Sequence, residues 1–239
     1  MKYDILLIDA DETLMDFPDA EHQALIRTFQ AHNLPFSDEI DQLYQSINQN
    51  LWREFEQNKI TRQQLLATRF AKLFEALHID LDSDAFNTEY LFNLGFGGKT
   101  LPHALDTCKQ LHEMGCRLYI LTNGVGATQR RRIQASGLSP FLTDIFVSEE
   151  SGFQKPMKEF FDYVFARIPD FAKTRALMIG DSLAMKKRRA MWRYLEQKDP
   201  ALYRRMRLSV GGFTYLPSKL GNRLSLAGYR LAKKVVKFQ

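Results

Sequence analysis

Four short groups of polar residues carry the side chains best suited to chemistry in this sequence. In the first, "DADET", Asp9 and Asp11 follow the apolar run "YDILLID". Two carboxylates two residues apart repel each other unless a cation lies beside them, and Mg²⁺ prefers carboxylate and backbone carbonyl oxygens as ligands. In such a pair, one carboxylate can attack an electrophile while its neighbour carries a proton. The group is therefore compatible with a cation site that also holds a nucleophile.

The other three groups offer partners for an anion and one more acid. In "LTNG", the Thr122 hydroxyl and the Asn123 amide are neutral hydrogen-bond donors that suit a phosphate. In "GFQKP", Lys155 precedes a proline at the predicted start of a helix, where a lysine can meet a phosphate in front of the helix N-terminus. In "MIGDS", Asp181 follows another apolar run and is a candidate metal ligand.

Each of these groups also has a plainer interpretation. Taken singly, the acids are more often part of a surface turn, "LTNG" is more often a simple strand-to-helix connection, and a lysine is more often exposed to solvent. The order of the four groups, each placed directly after its own predicted strand, favours a shared site over four coincidences.

The elements that would position these residues alternate between strand and helix. Predicted strands in "YDILLID", "CRLYILTNG", "DIFVSEE" and "RALMIGD" are separated by amphipathic helices, a pattern that predicts an α/β fold with a doubly wound parallel sheet. In such sheets chemistry gathers at the carboxyl ends of the strands, here Asp9, Thr122–Asn123, Glu149–Glu150 and Asp181. Residues 18–97 contain four predicted helices and no strand, which indicates a helical insertion.

Composition narrows the class of protein. With 239 residues and 45% apolar composition, the chain can bury a full hydrophobic core, and no apolar run approaches the roughly 20 residues of a membrane span. The N-terminus lacks a small-residue cleavage site and is expected to be a strand and not a signal peptide. Two cysteines without metal-type spacing are expected to be free thiols, and we expect the protein to be cytoplasmic.

In this order, "DADET", "LTNG", "GFQKP" and "MIGDS" resemble the four motifs of the haloacid dehalogenase (HAD) superfamily, and residues 18–97 resemble its helical C1-type cap. The segments "DADETLMDF", "LWREFEQNKITRQQL" and "VSEESGFQKPMKEFFDYVF" are most similar to pyrimidine 5′-nucleotidases of the YjjG/YfnB type. The resemblance implies a Rossmannoid (HAD-like) catalytic core in residues 1–17 and 98–183, interrupted by the cap.

The resemblance also implies Mg²⁺-dependent hydrolysis of nucleoside 5′-monophosphates through an aspartyl-phosphate. Asp9 would be the nucleophile and Asp11 the general acid and base, an acid that the superfamily's dehalogenases lack because a halide needs no proton. Thr122, Asn123 and Lys155 would bind the phosphoryl oxygens, and Mg²⁺ would lie between Asp9, the Asp11 carbonyl and Asp181. The cap would select the substrate, and its aromatic side chains are candidates for stacking on a base, although core packing is their commoner role: Trp52, Phe55, Phe92 and Phe96. Sugar-phosphate or phosphoglycolate phosphatases are the alternatives.

The resemblance ends at about Leu183. Five residues after Asp181 the family has a second acid, whereas this sequence has Lys186, so we expect weaker Mg²⁺ binding and reduced activity. Residues 1–183 hold 18 Lys and Arg against 26 Asp and Glu, a net charge of −8, whereas residues 184–239 hold 15 against 2, a net charge of +13.

Three explanations fit this basic C-terminal segment, residues 184–239. It is a graft left by a frame change or gene fusion, a natural replacement of the missing edge strand, or a functional tail that binds anionic lipid, nucleic acid or a partner. The last case includes an inactive HAD-like protein whose tail supplies the binding.

Overall fold

The computed structural model of the chain describes residues 3–180. The predictions for Asp181, for Lys186 and for residues 184–239 lie outside this range. None of the helices in residues 3–180 combines the length and hydrophobicity needed to span a bilayer.

A four-stranded parallel sheet forms the centre of the fold. The strands are β1 (Ile5–Asp9), β2 (Arg117–Thr122), β3 (Asp144–Val147) and β4 (Ala176–Ile179), and they lie in the order β3-β2-β1-β4. The register pairs Asp9 with Leu121 and Thr122 with Val147, so the carboxyl ends of the strands meet at one edge. The predicted α/β fold with a doubly wound parallel sheet is confirmed.

Both faces of the sheet are covered, which explains why its strands are apolar runs and not alternating ones. Because successive side chains point to opposite faces, Leu6 and Ile8 pack with α5 (Ala104–Glu113) and α6 (Gly126–Ala135), whereas Ile5 and Leu7 pack with α8 (Lys158–Phe165). Short 3-10 helices, Ser139–Phe141 and Lys173–Arg175, precede β3 and β4.

One predicted strand end is wrong. We expected "DIFVSEE" to be extended to Glu150, but β3 ends at Val147 and a single helical turn, α7 (Ser148–Ser151), follows. The two acids are used locally: the Gly126 N–H donates to Glu149 at 2.7 Å, and Arg130 pairs with Glu150 at 2.5 Å. These contacts bind the turn to the start of α6 and remove both acids from the strand-end set.

Four helices form a separate layer, which we call the helical unit: α1 (Phe17–Ala31), α2 (Asp38–Glu56), α3 (Arg62–Leu77) and α4 (Ser83–Leu94). Thr61 caps α3 with a full capping box to Gln64. The unit has its own hydrophobic cluster, rich in aromatic side chains that meet edge to face, including Phe29, Phe70 and Phe86.

Two linkers join the helical unit to the rest of the fold and pair with each other. The first linker is residues 10–16 and the second is residues 95–103. The Asp16 N–H donates to the Lys99 carbonyl at 3.0 Å, and the Leu101 N–H donates to the Leu14 carbonyl at 2.9 Å. Gly98 is required because a β-carbon there would lie 2.5 Å from the carbonyl carbon of Ala135 at the end of α6. The second linker is therefore held tightly against α6.

A buried acid lies inside the helical unit. Glu21 on α1 accepts a hydrogen bond from Asn48 at 2.8 Å and is nearly inaccessible to solvent. Burial raises the pKa of Glu21 to about 7, partly offset by Asn48 and by the Arg69 guanidinium, whereas the carboxylates of Asp41 and Asp11 raise it further. The folded state therefore favours the protonated acid.

The raised pKa of Glu21 predicts a loss of stability with increasing pH. Between about pH 4.5 and 7 the unfolded chain loses this proton while the folded chain keeps it, so the free energy of unfolding falls, and it levels off above pH 7. Glu21→Gln should remove this slope and stabilise the protein by about 3 kcal/mol at pH 8. Urea unfolding at pH 5 and pH 8 measures it, with the exposed Glu75→Gln as control. Equal slopes in wild type and Glu21→Gln would contradict the prediction.

Candidate active site

Asp9 and Lys155 form the centre of the strand-end cluster. Lys155 Nζ donates to Asp9 Oδ1 and to the Leu121 carbonyl, both at 2.7 Å, and both side chains of the ion pair are largely buried. The Ala10 N–H donates to the same Asp9 oxygen at 2.8 Å. Burial raises the pKa of Asp9 above its ordinary value, and the Lys155 ammonium only partly counteracts this. The carboxylate is thus fixed in a partly dehydrated setting where it is compensated by a single cation among the described residues.

Asn123 holds the lysine in place. Its Oδ1 accepts from the Lys155 N–H at 2.8 Å, and its Nδ2 donates to the Lys155 carbonyl at 3.0 Å. We expected the helix to begin directly after Lys155, at Pro156, but α8 begins at Lys158, three residues after Lys155. Both polar atoms of the Asn123 amide are therefore engaged with the main chain that carries Lys155.

Thr122 ends β2 beside Asp9. Its Oγ1 accepts from the Gly124 N–H at 3.1 Å and from Gln129 Nε2 at 3.0 Å. Both of these contacts use the hydroxyl oxygen as an acceptor, which leaves the hydroxyl proton able to donate. The neutral donor predicted at this strand end is thus present.

Asp11 is held by two side chains that sequence reasoning missed. Arg132 Nη1 donates to Asp11 Oδ1 at 2.5 Å, and Gln129 Nε2 donates to Asp11 Oδ2 at 2.6 Å. Both donors come from α6, and both are buried. Each carboxylate oxygen of Asp11 receives one hydrogen bond, so its orientation is set by the core helix that follows β2.

A signal for these residues is present in the sequence of α6. The helix "GATQRRRIQA" connects two buried strands and must bury one face, yet Ile133 is its one large apolar residue. Gln129, Arg132 and Ile133 share that face because residues three and four apart are neighbours on a helix. A polar pair on an obligatorily buried face indicates that both side chains have internal partners.

The oxygen atoms of Asp9 and Asp11 are suitable ligands for a hard cation. The hydrogen bonds to Asp9 from Lys155 and Ala10 both reach Oδ1, which makes Asp9 Oδ2 and the Asp11 backbone carbonyl the candidate metal-binding oxygens of these two residues. Residues 3–180 hold no group of three or more acidic, histidine or cysteine side chains that could bind a metal, and the third predicted ligand, Asp181, follows this range. The oxygens present fit Mg²⁺ in kind.

A cavity of about 350 Å³ lies beside the cluster, between the helical unit and the sheet. Its lining includes Phe55, Asn58, Arg62, Ser148 and Gln154. Arg62 Nη2 donates to the Asn123 carbonyl at 3.2 Å and to the Ser148 hydroxyl, so this cation of α3 reaches across to the loop that holds Lys155. The cavity is lined by a phenylalanine, amides and a cation next to the candidate phosphate site, and the Arg62 guanidinium carbon lies 5.4 Å from the centre of the Phe55 ring.

The predicted cap aromatics fall into two classes. Trp52 and Phe55 meet edge to face, and Phe55 is buried in a small cluster with Leu51 and Leu65 while also lining the cavity. Phe92 and Phe96 are about half exposed and pack around the Arg131 guanidinium. Of the four, Phe55 alone lines the cavity within the part of the chain that the structure describes.

The model of the haloacid dehalogenase-like hydrolases matches residues 3–184 of this chain. A Bacillus subtilis protein named as a HAD-hydrolase, YfnB, is 44% identical over 182 residues, which cover 76% of this chain and 77% of the relative. A crystal structure of YfnB bound to magnesium superposes with a TM-score of 0.72 and covers 77% of this chain and 82% of that one.

Two further relatives carry the name pyrimidine 5′-nucleotidase. PynA of Streptococcus pneumoniae is 37% identical over 183 residues, 77% of each chain. YjjG of Escherichia coli is 31% identical over 182 residues, which cover 76% of this chain and 79% of that one. The family match ends at residue 184, the point at which the net charge of the sequence changes sign.

Proposed function

The chain belongs to the haloacid dehalogenase-like hydrolase family, and we propose that it is a Mg²⁺-dependent phosphatase of nucleoside 5′-monophosphates, pyrimidine ones in particular. The observation that carries the proposal is a pair of aspartates held for different tasks. Asp9 is bound by the Lys155 ammonium, and Asp11 is bound on both oxygens by Arg132 and Gln129. A phosphate ester needs both, because its leaving oxygen requires a proton.

The residues support a two-step displacement. A carboxylate oxygen of Asp9 bonds to phosphorus while the bond to the nucleoside oxygen breaks, and Asp11 gives that oxygen a proton. Asp11 then takes a proton from water, whose oxygen bonds to phosphorus as the bond to Asp9 breaks. The Lys155 ammonium and the Thr122 hydroxyl bind phosphoryl oxygens and offset charge that develops in the transition state. Asn123 supports this by fixing the main chain of Lys155.

Asp9, the Asp11 carbonyl and Asp181 are the residues that would hold Mg²⁺. When bound, the ion offsets the negative charge of the phosphoryl group. Lys186 stands where the family has a second acid, so we expect this chain to need a higher Mg²⁺ concentration than its relatives.

The cavity beside the site supports a nucleoside as the leaving group. It adjoins Asn123 through Arg62, and its mixture of an aromatic ring, amides and a cation suits a planar, hydrogen-bonding base. Two relatives are named pyrimidine 5′-nucleotidases, and we extend that substrate class to this chain. Phosphoglycolate and small sugar phosphates would leave this cavity unfilled.

We also place the protein in the cytoplasm. Cys108 and Cys116 are buried, and neither forms a disulfide within residues 3–180, which suits a reducing compartment. In the structure they pack with the apolar cluster between the sheet and α5, and burial raises the pKa of both thiols, so neither is prepared for nucleophilic chemistry.

Phosphate release by the full chain tests the function. With dUMP or dTMP, release should require Mg²⁺ and saturate only at high Mg²⁺ concentration. Phosphoglycolate and a sugar phosphate, assayed in parallel, should show a higher KM because they do not fill the cavity. If no phosphomonoester is hydrolysed at any Mg²⁺ concentration, the proposed function is wrong; if phosphoglycolate is preferred, the substrate class is wrong.

A further inference from the structure

Arg132 is the last of three consecutive arginines on α6, and its environment differs from that of the first. Arg130 is exposed and pairs with Glu150, whereas the Arg132 side chain is fully buried. A buried guanidinium is strongly unfavourable unless its N–H groups and charge are matched. The contacts of Arg132 therefore indicate what the residue does.

The Arg132 guanidinium contacts the proposed general acid and the core at once. Its Nη1 donates to Asp11 Oδ1 at 2.5 Å and to Gln129 Oε1 at 3.2 Å. Gln129 in turn donates to Asp11 Oδ2 and to Thr122 Oγ1. The two side chains form one network that joins Asp11 to the strand end where the phosphate is expected.

The same guanidinium also contacts the second linker and the first residue of α1, where the first linker ends. Arg132 Nε donates to the Gly97 carbonyl at 3.1 Å, and the guanidinium carbon lies 5.4 Å from the centre of the Phe17 ring. Phe17 begins α1 at the end of the first linker, and Gly97 lies in the second. A planar guanidinium has N–H donors on several edges and can bond to the Asp11 carboxylate and the Gly97 carbonyl at the same time. A lysine ammonium at this position cannot reach both.

We propose that Arg132 is a positioning residue: it holds the Asp11 carboxylate in line for proton transfer and ties that orientation to the two linkers of the helical unit. This inference rests on the proposed function. Each Asp11 oxygen has a further lone pair beyond the one used by its donor, so the network leaves room for the transferred proton. The residue acts through Asp11 and does not itself touch the reacting atoms.

The choice of leaving group separates positioning from general structural support. In the first step, a nucleoside oxygen leaves with the electron pair of the broken bond and needs the proton of Asp11, whereas 4-nitrophenolate is a stable anion that leaves without one. Arg132→Met should therefore slow the first-turnover release of deoxyuridine from dUMP by on the order of 10- to 100-fold. Release of 4-nitrophenol from its phosphate should change by less than about threefold. Rapid quench measures both at saturating Mg²⁺.

Three further variants sharpen the test. Asp11→Asn should show the same dependence on leaving group, and adding Arg132→Met to it should slow dUMP little more, because the two residues act as a unit. Arg132→Lys keeps the positive charge, so it should release deoxyuridine from dUMP faster than Arg132→Met but more slowly than wild type. Arg130→Met, two residues away on the same helix, should leave both substrates unaffected. Equal slowing of both substrates by Arg132→Met would overturn the proposal.

Amide hydrogen exchange tests the contact between Arg132 and the linkers without measuring enzyme activity. In Arg132→Met, the linker amides of Asp16 and Leu101 should exchange at least about tenfold faster, whereas Arg130→Met should leave them unchanged. If wild type gives no product from either substrate, the proposed function fails; if these amides are also unaffected, the link between Arg132 and the linkers fails separately.

Discussion

Asp9→Asn is expected to lower phosphate release from dUMP by on the order of 10⁴-fold or more, because an amide oxygen is not a competent nucleophile towards phosphorus. The substitution keeps the shape of the side chain but removes the negative charge that pairs with the Lys155 ammonium. The Asn side chain has the same shape, and its oxygen can still accept from Lys155 Nζ and from the Ala10 N–H, which both bond to the same Asp9 oxygen. A loss of this size in protein that is still folded at the assay temperature would therefore report on chemistry.

Acid quench during turnover measures this directly. Wild type should trap a phosphorylated enzyme from labelled substrate, and Asp9→Asn should trap none. Asp4→Asn is a matched control, since Asp4 lies beside the other end of β1 and pairs with Arg175 and Arg117 away from the site. Residual turnover above about 1% of wild type in Asp9→Asn, at unchanged thermal stability, would assign the nucleophile elsewhere.

The core of the site could be predicted because parallel strands converge. Apolar runs ending in polar residues are enough to locate strand ends, and a parallel register brings those ends to one edge. Asp9 and Thr122 end neighbouring strands at this edge, and Lys155 contacts Asp9 and the Leu121 carbonyl from the loop that follows α7. The same reasoning failed at Glu149–Glu150, where the edge strand β3 stops early and its acids bind α6 and Arg130.

The side chains that hold Asp11 and Lys155 in position could not be predicted in the same way. Strand-end reasoning looks for residues after strands, whereas Gln129 and Arg132 lie in the first turns of a helix and reach back to Asp11. Asn123 was expected to bind an anion through its amide; the structure adds that both polar atoms of this amide bond to the Lys155 main chain, while the second N–H of Nδ2 can still donate. That pairing depends on the conformation of two loops. Side-chain partners of this kind depend on tertiary geometry that periodicity does not encode.

Lys155→Met is expected to lower both activity and stability, because the same ammonium binds the phosphoryl group and compensates the buried Asp9 carboxylate. Loss of a cation that binds the phosphoryl oxygens should lower kcat by about 10²- to 10³-fold. Met replaces most of the apolar stem of the lysine but leaves Asp9 buried without its cation. Breaking a largely buried ion pair in this way is expected to lower the free energy of unfolding by about 3 kcal/mol. Lys158→Met, at an exposed pair with Asp162, should leave the free energy of unfolding nearly unchanged.

Combining Lys155→Met with Asp9→Asn distinguishes the two possible sources of the stability loss. If the loss comes from an uncompensated carboxylate, the double variant, which carries no charge at either position, should be more stable than Lys155→Met alone. If it comes from lost packing or from the bond between Lys155 Nζ and the Leu121 carbonyl, Lys155→Met should destabilise equally in both backgrounds. Urea unfolding of the four proteins measures the coupling, and additive effects would show that the Asp9–Lys155 pair does not stabilise the fold.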